Sequence, residues 1–378
     1  MKKSTTKILL AHSSNDLYGA SKILINIVEL LINKGHEVHL FLPGKGPLDK
    51  NIFIKKCNVV YMELGVFRKK YFNSFGLLNR FFFITRSFFF INRYISVNKI
   101  DLVYINTSTV LSPCLSAKFK KIPCFFHVHE IPISSKIYSK FLALTFNYFS
   151  TKIITVSNSV REYWIENGSF PEKIITIYNG FKFNFKSEKK TNNENIYFIN
   201  VSRIIPYKGH LFLIELFNAL VKKRKNLFLN IIGDTLIEYE PYTKKLKQKV
   251  KEYGLEKNVF FTGFKEEEEV KEYFNKSNFF IHCPVSPDPL PTVIFESIEN
   301  NVPVICTGNG GSTEILDFGK NGLIIENKSI IKSANMILKY ITDESIQKRH
   351  IIDSKIFIKK NFNLSLFNNN IYDLISND

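Results

Sequence analysis

The sequence has few of the residues and motifs that mark several large protein classes. Its five cysteines are odd in number, and no two of them have the Cys-x-x-Cys spacing of zinc and redox motifs. No Asp-x-Asp pair occurs, and no run approaches the roughly 20 apolar residues of a membrane-spanning helix. Residues 1–6 are polar, unlike a secretion signal. We therefore expect reduced thiols, a cytoplasmic location and no metal site.

Length and composition favour a fully folded chain with two domains. A chain of 378 residues is longer than a single hydrophobic core usually serves, and chains of this length usually split into domains. Apolar residues make up 45% and charged residues 23%, which is ordinary for a globular protein and unlike a disordered one.

The net charge of +18 is unevenly distributed. Residues 1–180 contain 24 Lys and Arg against 10 Asp and Glu, a net of +14, and the remaining 28 against 24 give +4. Such a field attracts polyanions in general: nucleic acid, anionic lipid or a pyrophosphate-bearing substrate. A coding bias toward Lys could also account for the total.

The same order of predicted elements occurs twice. Residues 7–12 form a short apolar run, followed by a polar loop and an apolar-periodic stretch at 20–33, which together predict strand, loop and helix. A second strand is predicted at 37–43. The pattern returns with a strand at 196–202, a loop at 203–209, a helix at 210–221 and a strand at 226–233. The fold class predicted is α/β, with two Rossmann-like domains facing each other across a cleft.

The predicted domain boundaries follow from composition. A first Rossmann-like domain is expected at 1–183 and a second at 196–350. The Lys- and Asn-rich residues between them, 184–195, lack apolar periodicity and predict a linker. Residues 351–378 predict a helical segment that could cross back to the N-terminal domain.

Two charged constellations in the second half are candidates for chemistry. Arg203 and Lys208 lie on a loop that opens a helix, where cations and helix N-terminal amides can surround a diphosphate. Asp288 and Glu296 flank the start of another predicted helix, where carboxylates can accept hydrogen bonds from sugar and ribose hydroxyls. Taken singly, each pattern is also compatible with ordinary surface charges.

Several motifs together resemble the retaining glycosyltransferases of family 4, which have the GT-B fold. These are SRIIPYKGH at 202–210, FTGF at 261–264 and DPLPTVIFESIENNVPVICTGNGGSTEIL at 288–316. In the first half YGASKIL, HVHE, VSNSV and YNG follow in the family's order. The resemblance covers nearly the whole chain and implies transfer of a hexose from a UDP- or GDP-linked sugar, with retained anomeric configuration and no cofactor, in cell-surface polysaccharide or lipopolysaccharide synthesis. It also implies that the N-terminal domain is the acceptor side and that the C-terminal domain binds the nucleotide sugar.

The resemblance also assigns roles to residues. Arg203 and Lys208 would hold the donor diphosphate, Asp288 and His129 the transferred sugar. Substrate-binding positions implied in the same way are Gly19, Phe264, Leu290, Pro291, Thr292, Val293, Glu296 and Glu314. Of these, Glu296 would bind the ribose and the amides of Thr292 and Val293 the phosphates.

This chain departs from the family pattern in one loop. Asp288 stands where the family usually has glutamate, and Pro289 and Pro291 replace small, glycine-rich residues. Because proline has no N–H group, any sugar contact made by those backbone amides in relatives is absent here. The departures leave the donor sugar open.

Other readings of the sequence remain. An epimerase or phosphorylase of the same fold is one alternative, and a non-catalytic binder of polyanions or anionic lipid is another. His127, His129 and Glu130 could suggest a metal, but alternate strand residues share one face and a further ligand would be required.

A Phe-rich stretch predicts where the protein works. As a helix, residues 81–95 place Phe81, Ile84, Phe88, Ile91 and Ile95 on one stripe suited to the core. Phe82, Phe83, Phe89 and Phe90 share a second arc with Arg86 and Arg93. Since residues 67–99 hold seven Lys or Arg and no acidic residue, we expect a peripheral enzyme whose N-terminal domain binds the anionic inner face of the cell membrane. We also expect the acceptor to be a lipid-linked saccharide, and we expect no nucleic acid partner. The alternative is that both arcs are buried.

Overall fold

The computed structural model describes residues 5–67, 71, 73–132, 136–187 and 194–377. The chain divides into two compact units. The first contains residues up to Phe181 together with those from Phe362 onward, and the second spans Lys182–Asn361.

The first unit is built on seven parallel strands. They are β1 (Lys7–Ala11), β2 (Glu37–Leu42), β3 (Asn58–Tyr61), β4 (Leu102–Ile105), β5 (Cys124–Val128), β6 (Lys152–Thr155) and β7 (Ile174–Thr176). Their order in the sheet is β3-β2-β1-β4-β5-β6-β7. The helices of this unit are α1 (Gly19–Asn33), α2 (Ser74–Asn98), α3 (Ser112–Lys120), α4 (Lys136–Phe149) and α5 (Asn158–Glu166).

The second unit repeats the arrangement with six parallel strands. They are β8 (Ile196–Val201), β9 (Leu227–Ile232), β10 (Val259–Gly263), β11 (Phe279–His282), β12 (Val304–Thr307) and β13 (Leu323–Ile325), in the order β10-β9-β8-β11-β12-β13. Its helices are α6 (His210–Lys223), α7 (Glu240–Glu252), α8 (Glu267–Lys276), α9 (Val293–Glu299), α10 (Ser312–Ile315), α11 (Ile330–Tyr340) and α12 (Glu344–Asn361). Both units are thus Rossmann-like, as the sequence predicted.

Helices cover both faces of the first sheet because the parallel strands are buried on both sides. The strands β1, β2, β4 and β5 send Leu10, Leu40, Tyr104 and Phe125 into a core shared with α1. The opposite face packs on α2 and α4, where Phe41 meets Tyr94 at 5.1 Å and Phe126 meets Phe146 at 4.7 Å between ring centroids. The layer that contains α2 and α4 is therefore on the other side of the sheet from α1.

The chain returns to its first unit at the end. The helix α13 (Leu364–Ser376) inserts Phe367, Ile371 and Ile375 into the core beside α1. Phe181 bonds through its N–H to Phe362 O and through its oxygen to Leu364 N. A side chain at Gly180 would collide with Phe367, so the close approach of α13 requires glycine there.

The expected domain limits can be placed on this arrangement. Residue 350, where we expected the second domain to end, lies inside α12, which continues to Asn361. The expected linker at 184–195 includes residues 188–193, which lie outside the described residues.

The Phe-rich helix α2 differs in part from the sequence expectation. Ile91 and Ile95 are buried as expected, but Phe81, assigned to the same core stripe, is 70% exposed. It lines an open apolar pocket with Leu77, Leu78 and Ile84 at the N-terminal part of the helix. In the second arc Phe82, Phe89 and Phe90 are exposed, whereas Phe83 is half-buried. Within the described residues, no helix combines the length and apolar character that crossing a bilayer needs.

Candidate active site

The loop after β8 brings two cations to the carboxyl end of the second sheet. It carries Arg203, makes a 3-10 turn at Pro206–Lys208 and enters α6 through Gly209. Gly209 has φ 77°, and a side chain there would collide with the carbonyl oxygen of Cys283. Glycine therefore lets this loop lie directly against the end of β11.

Lys208 meets Asp288 across this edge of the sheet. Its Nζ lies 2.5 Å from Asp288 Oδ2, and the two side chains are only 19% and 11% exposed. His282, the last residue of β11, places Nε2 3.1 Å from the same oxygen. Because β8 and β11 are neighbouring parallel strands, residues 80 positions apart in the chain form one cluster.

The cluster keeps Asp288 ionised. Burial by itself would raise the pKa of Asp288, but the Lys208 ammonium and the His282 hydrogen bond hold that pKa below its ordinary value. For His282, burial lowers the pKa in spite of the opposing effect of Asp288. A neutral imidazole that donates from Nε2 to the carboxylate satisfies both shifts.

The Asp288 backbone is fixed by the loop after β12. Gly311 donates its N–H to Asp288 O at 2.8 Å, and Asp288 pairs with Gly310 in a parallel bridge. Gly310 has φ 83° and lies so close that a side chain would strike the Asp288 backbone. Glu314 follows on α10 and is 5% exposed. The GNGG segment therefore positions Asp288 through backbone contacts.

The other predicted donor residues lie on the same edge of the sheet. Arg203 and Phe264, which follow β8 and β10, are exposed, and Leu290 and Pro291 are buried. Thr292 occupies the N-cap position of α9 without a side-chain capping hydrogen bond, Val293 begins the helix, and Glu296 is half-buried in its first turn. Lys208 and Asp288, which were also predicted as donor-site residues, are in direct contact through their side chains.

His282 is the residue that the sequence interpretation missed. It ends the apolar run FFIH six residues before Asp288. A polar residue that closes a buried strand just before a candidate site is the signal that could have identified it.

A second polar cluster lies at the carboxyl ends of β1, β4 and β5 in the first unit. His129, just after β5, donates from Nε2 to Asn106 Oδ1 at 2.9 Å. The Asn106 side-chain amide donates to Ala20 O at 2.9 Å, and its backbone oxygen accepts from His12 Nδ1 at 3.0 Å. The cluster thus connects His129 to the start of α1, where Gly19 lies.

Neutral forms are favoured in this cluster. Burial, with the neighbouring His127 and His12, holds the pKa of His129 well below its ordinary value. Burial also raises the pKa of Glu130, although its carboxylate accepts from Thr107 Oγ1 at 2.9 Å and from the His129 amide at 3.1 Å. The site therefore offers hydrogen-bonding groups with little positive charge.

Gly19 has no packing explanation. A Cβ built at this position meets nothing within 4 Å among the described residues, and its φ is not in the left-handed region. A requirement for glycine there would have to come from a molecule that approaches the backbone.

The residues considered for a metal are used otherwise. His127 Nδ1 lies 2.9 Å from the hydroxyl of Tyr104, and burial lowers the pKa of His127 to about 3. In the part of the chain that the structure describes, no three His, Cys, Asp or Glu side chains are grouped as a metal site would need.

Comparison with known proteins gives the family. The family model described as Glycosyltransferase Family 4 matches residues 18–184, and the model described as Glycosyl transferases group 1 matches residues 181–356. The structure of HepE from Anabaena in complex with UDP superposes with a TM-score of 0.80 at 22% identity, covering 99% of this chain and 100% of that one. A HepE complex with UDP-glucose gives 0.78 at 21% identity over 98% and 100%.

A curated relative shares more sequence over a shorter stretch. The capsular polysaccharide biosynthesis glycosyltransferase CapH of Staphylococcus aureus is 32% identical over 231 residues, which are 59% of this chain and 60% of CapH. The aligned part thus spans less than two thirds of that relative. Family models that together extend from residue 18 to residue 356, and a fold shared with GT-B structures, agree: the chain belongs to the group 1 glycosyl transferases of family 4.

Proposed function

We propose that this protein is a glycosyltransferase that moves a hexose from a nucleotide-diphosphate sugar to a saccharide acceptor with retention of anomeric configuration. The observation that carries the proposal is the cluster at the carboxyl end of the second sheet. There Lys208 is held against Asp288 at 2.5 Å, on a loop that also carries Arg203 and opens α6. Family membership supports the reaction class.

The proposed chemistry is stabilisation of a leaving diphosphate. When the anomeric bond breaks, negative charge increases on the phosphate, and fixed cations at that point lower the barrier. Lys208 and Arg203 take this role, with the first amides of α9 at Thr292 and Val293 as further donors. These groups can act without a metal, so we propose a metal-independent reaction with no cofactor. We assign no side-chain nucleophile, because the acceptor hydroxyl attacks from the face that the diphosphate leaves, through an oxocarbenium-like state. The leaving phosphate oxygen takes the acceptor proton, so no separate side-chain base is required.

The ion pair prepares the site for the donor. An ammonium has three N–H donors, so Lys208 can keep Asp288 and also bind a phosphate oxygen. Holding the long lysine side chain in place beforehand reduces the ordering cost of binding. Lys208 and His282 both contact Oδ2 of Asp288, and we assign Oδ1 to the hydroxyls of the transferred sugar.

The remaining roles follow the family pattern. Glu296 receives the ribose hydroxyls, and Phe264, Leu290, Pro291 and Glu314 border the donor. His129, kept neutral by burial, serves the transferred sugar as a hydrogen-bonding group, and the bare backbone at Gly19 accommodates phosphate. HepE was solved in complex with UDP and with UDP-glucose, which favours a uridine-linked donor. CapH is a glycosyltransferase of capsular polysaccharide biosynthesis, which favours a cell-surface polysaccharide as product.

A donor-hydrolysis screen tests the proposal. The purified protein is incubated with UDP- and GDP-linked hexoses, and free nucleotide is measured with and without added acceptor saccharides. Slow nucleotide release from one donor, lost in K208A and kept in the exposed-surface control K244A, is the expected result. Conversion of one nucleotide sugar into its epimer without release would indicate an epimerase. Salt-sensitive polyanion binding without turnover would indicate a binding protein.

A further inference from the structure

The outer face of α2 is aromatic and cationic rather than polar. Phe75, Phe82 and Phe89 recur every seven residues and are 87%, 58% and 66% exposed. Arg86 and Arg93, also exposed, lie on the same side of the helix because residues four and seven apart share a face. This face is costly to leave in water, and it is built of rings and guanidinium groups in alternation.

The exposed apolar surface continues onto the neighbouring helices. On α4, Ile137, Leu144 and Tyr148 are 81%, 65% and 65% exposed and lie on one face, and on α3 Phe119 is 67% exposed. Phe119 touches Phe88 of α2 at 6.0 Å between ring centroids. Lys118 of α3 lies 4.9 Å from the Tyr148 ring centroid. We call the exposed residues of α2, α3 and α4 the aromatic face.

The charge of this face selects the partner. The three helices contain seven Lys or Arg and no Asp or Glu. A second copy of the same face would bring cations against cations, and a nucleic acid would leave the aliphatic side chains of α4 uncovered. An anionic bilayer matches both properties, because rings and aliphatic groups enter the acyl boundary while cations meet phosphates.

We propose that the aromatic face docks the protein on the surface of an anionic phospholipid bilayer. The inference deepens the proposed function by placing the enzyme where a lipid-linked acceptor would be, but binding itself requires no donor and no turnover. The pocket beside Phe81, about 450 Å³ and lined by Leu77, Leu78 and Ile84, gives a single hydrocarbon chain a place to lie on this face.

Liposome flotation tests the inference without nucleotide. Wild-type protein should float with vesicles of phosphatidylglycerol and phosphatidylcholine, remain below with phosphatidylcholine alone, and detach as salt is raised. R86E/R93E should lower the partition coefficient by about 100-fold or more. Each cation near an anionic surface strengthens binding several-fold, and each glutamate in its place is in addition repelled by the lipid phosphates. F82S/F89S keeps the charge and should lower it by about 100-fold through lost insertion.

Matched controls lie on the second unit. K244E/K245E on α7 makes the same charge change as R86E/R93E, and I352S/I356S on α12 removes two exposed apolar side chains. Both should float like wild type, and all four variants should retain wild-type thermal stability. Three results would overturn the proposal: equal flotation with neutral vesicles, no flotation of the wild-type protein, or equal losses of vesicle binding in the control variants. The proposal would also be wrong if the wild-type protein formed a dimer that F82S/F89S dissociates and did not bind lipid. Donor hydrolysis in the same preparations separates this failure from failure of the proposed reaction.

Discussion

The two polar clusters at the sheet edges have the same position in the fold but opposite electrostatics. In the second unit, Lys208 and Asp288 are charged and paired. In the first, His129 bonds to Asn106, and burial favours the neutral forms of His129 and Glu130. A repeated strand-loop-helix unit can therefore be specialised by a few loop residues. For the proposed function, the comparison favours neutralisation of the diphosphate by side-chain cations in the second unit and recognition of uncharged hydroxyls by His129 in the first.

The sharpest test of this comparison is removal of the cations. R203A and K208A should each lower kcat/KM by about a hundredfold or more, the loss typical of one preorganised donor to developing charge. H129Q, which keeps a neutral hydrogen-bonding side chain, should lose much less. Steady-state kinetics with the nucleotide sugar that the protein hydrolyses measures kcat/KM for all three variants. Wild-type-like rates for both cation variants would remove the diphosphate role from this loop.

Acid should destabilise the second unit through a buried imidazole beside the charged cluster. Burial lowers the pKa of His210 from 6.5 to about 3, so the folded form stays neutral while the unfolded chain takes a proton below pH 6.5. This stability is full above pH 6.5 and decreases as pH falls, by about 2 kcal/mol between pH 6.5 and 5.

The substitution H210Q isolates this effect, because glutamine does not titrate. Hydrogen exchange of the β8 amides, compared at pH 6.5 and 5 after correction for intrinsic rates, should show a smaller loss of stability in H210Q than in wild type. Parallel losses in the two proteins would assign the acid sensitivity to other groups.

A smaller effect is expected at the ribose site. E296Q keeps one acceptor oxygen but loses the carboxylate charge, so donor binding should weaken about tenfold, or 1.4 kcal/mol. Calorimetric titration with the nucleotide diphosphate measures it. An unchanged dissociation constant would exclude Glu296 from the donor contacts.

The smallest expected effect is that of a chelator. If Lys208 and Arg203 neutralise the diphosphate, EDTA should leave turnover unchanged, and the first product should keep the donor's anomeric configuration by NMR. Loss of activity restored by Mg²⁺ or Mn²⁺, or an inverted product, would contradict the mechanism.

The sequence predicted the elements of both sheets better than their spatial relations. Strands β1, β2, β8 and β9 lie within a few residues of their predicted limits, because each is a short apolar run bounded by polar loop residues. The contact between Lys208 and Asp288 depends on β8 and β11 being neighbours, and apolar patterns do not encode strand order. His282 was overlooked for a different reason, because the folding of its own loop back onto the strand end brings Asp288 against the ring.

The exposure of α2 residues was also predicted only in part. Helical spacing places Phe81 with Ile84 and Ile91, but Ile91 is buried and Phe81 is not. Periodicity defines the faces of a helix without showing how far along its length a neighbour covers it. Whether a face meets solvent or another helix is decided by tertiary packing.

The return of α13 to the first unit has a consequence for synthesis. The ribosome completes Lys182–Asn361 before it makes the helix that fills the first core with Phe367, Ile371 and Ile375. Domains usually fold in the order of their translation. Here the first unit keeps part of its core exposed until α13 has been synthesised. The second unit can therefore reach its native state earlier. A chain that ends at residue 361 should accordingly protect the second unit from protease while the first remains open to cleavage.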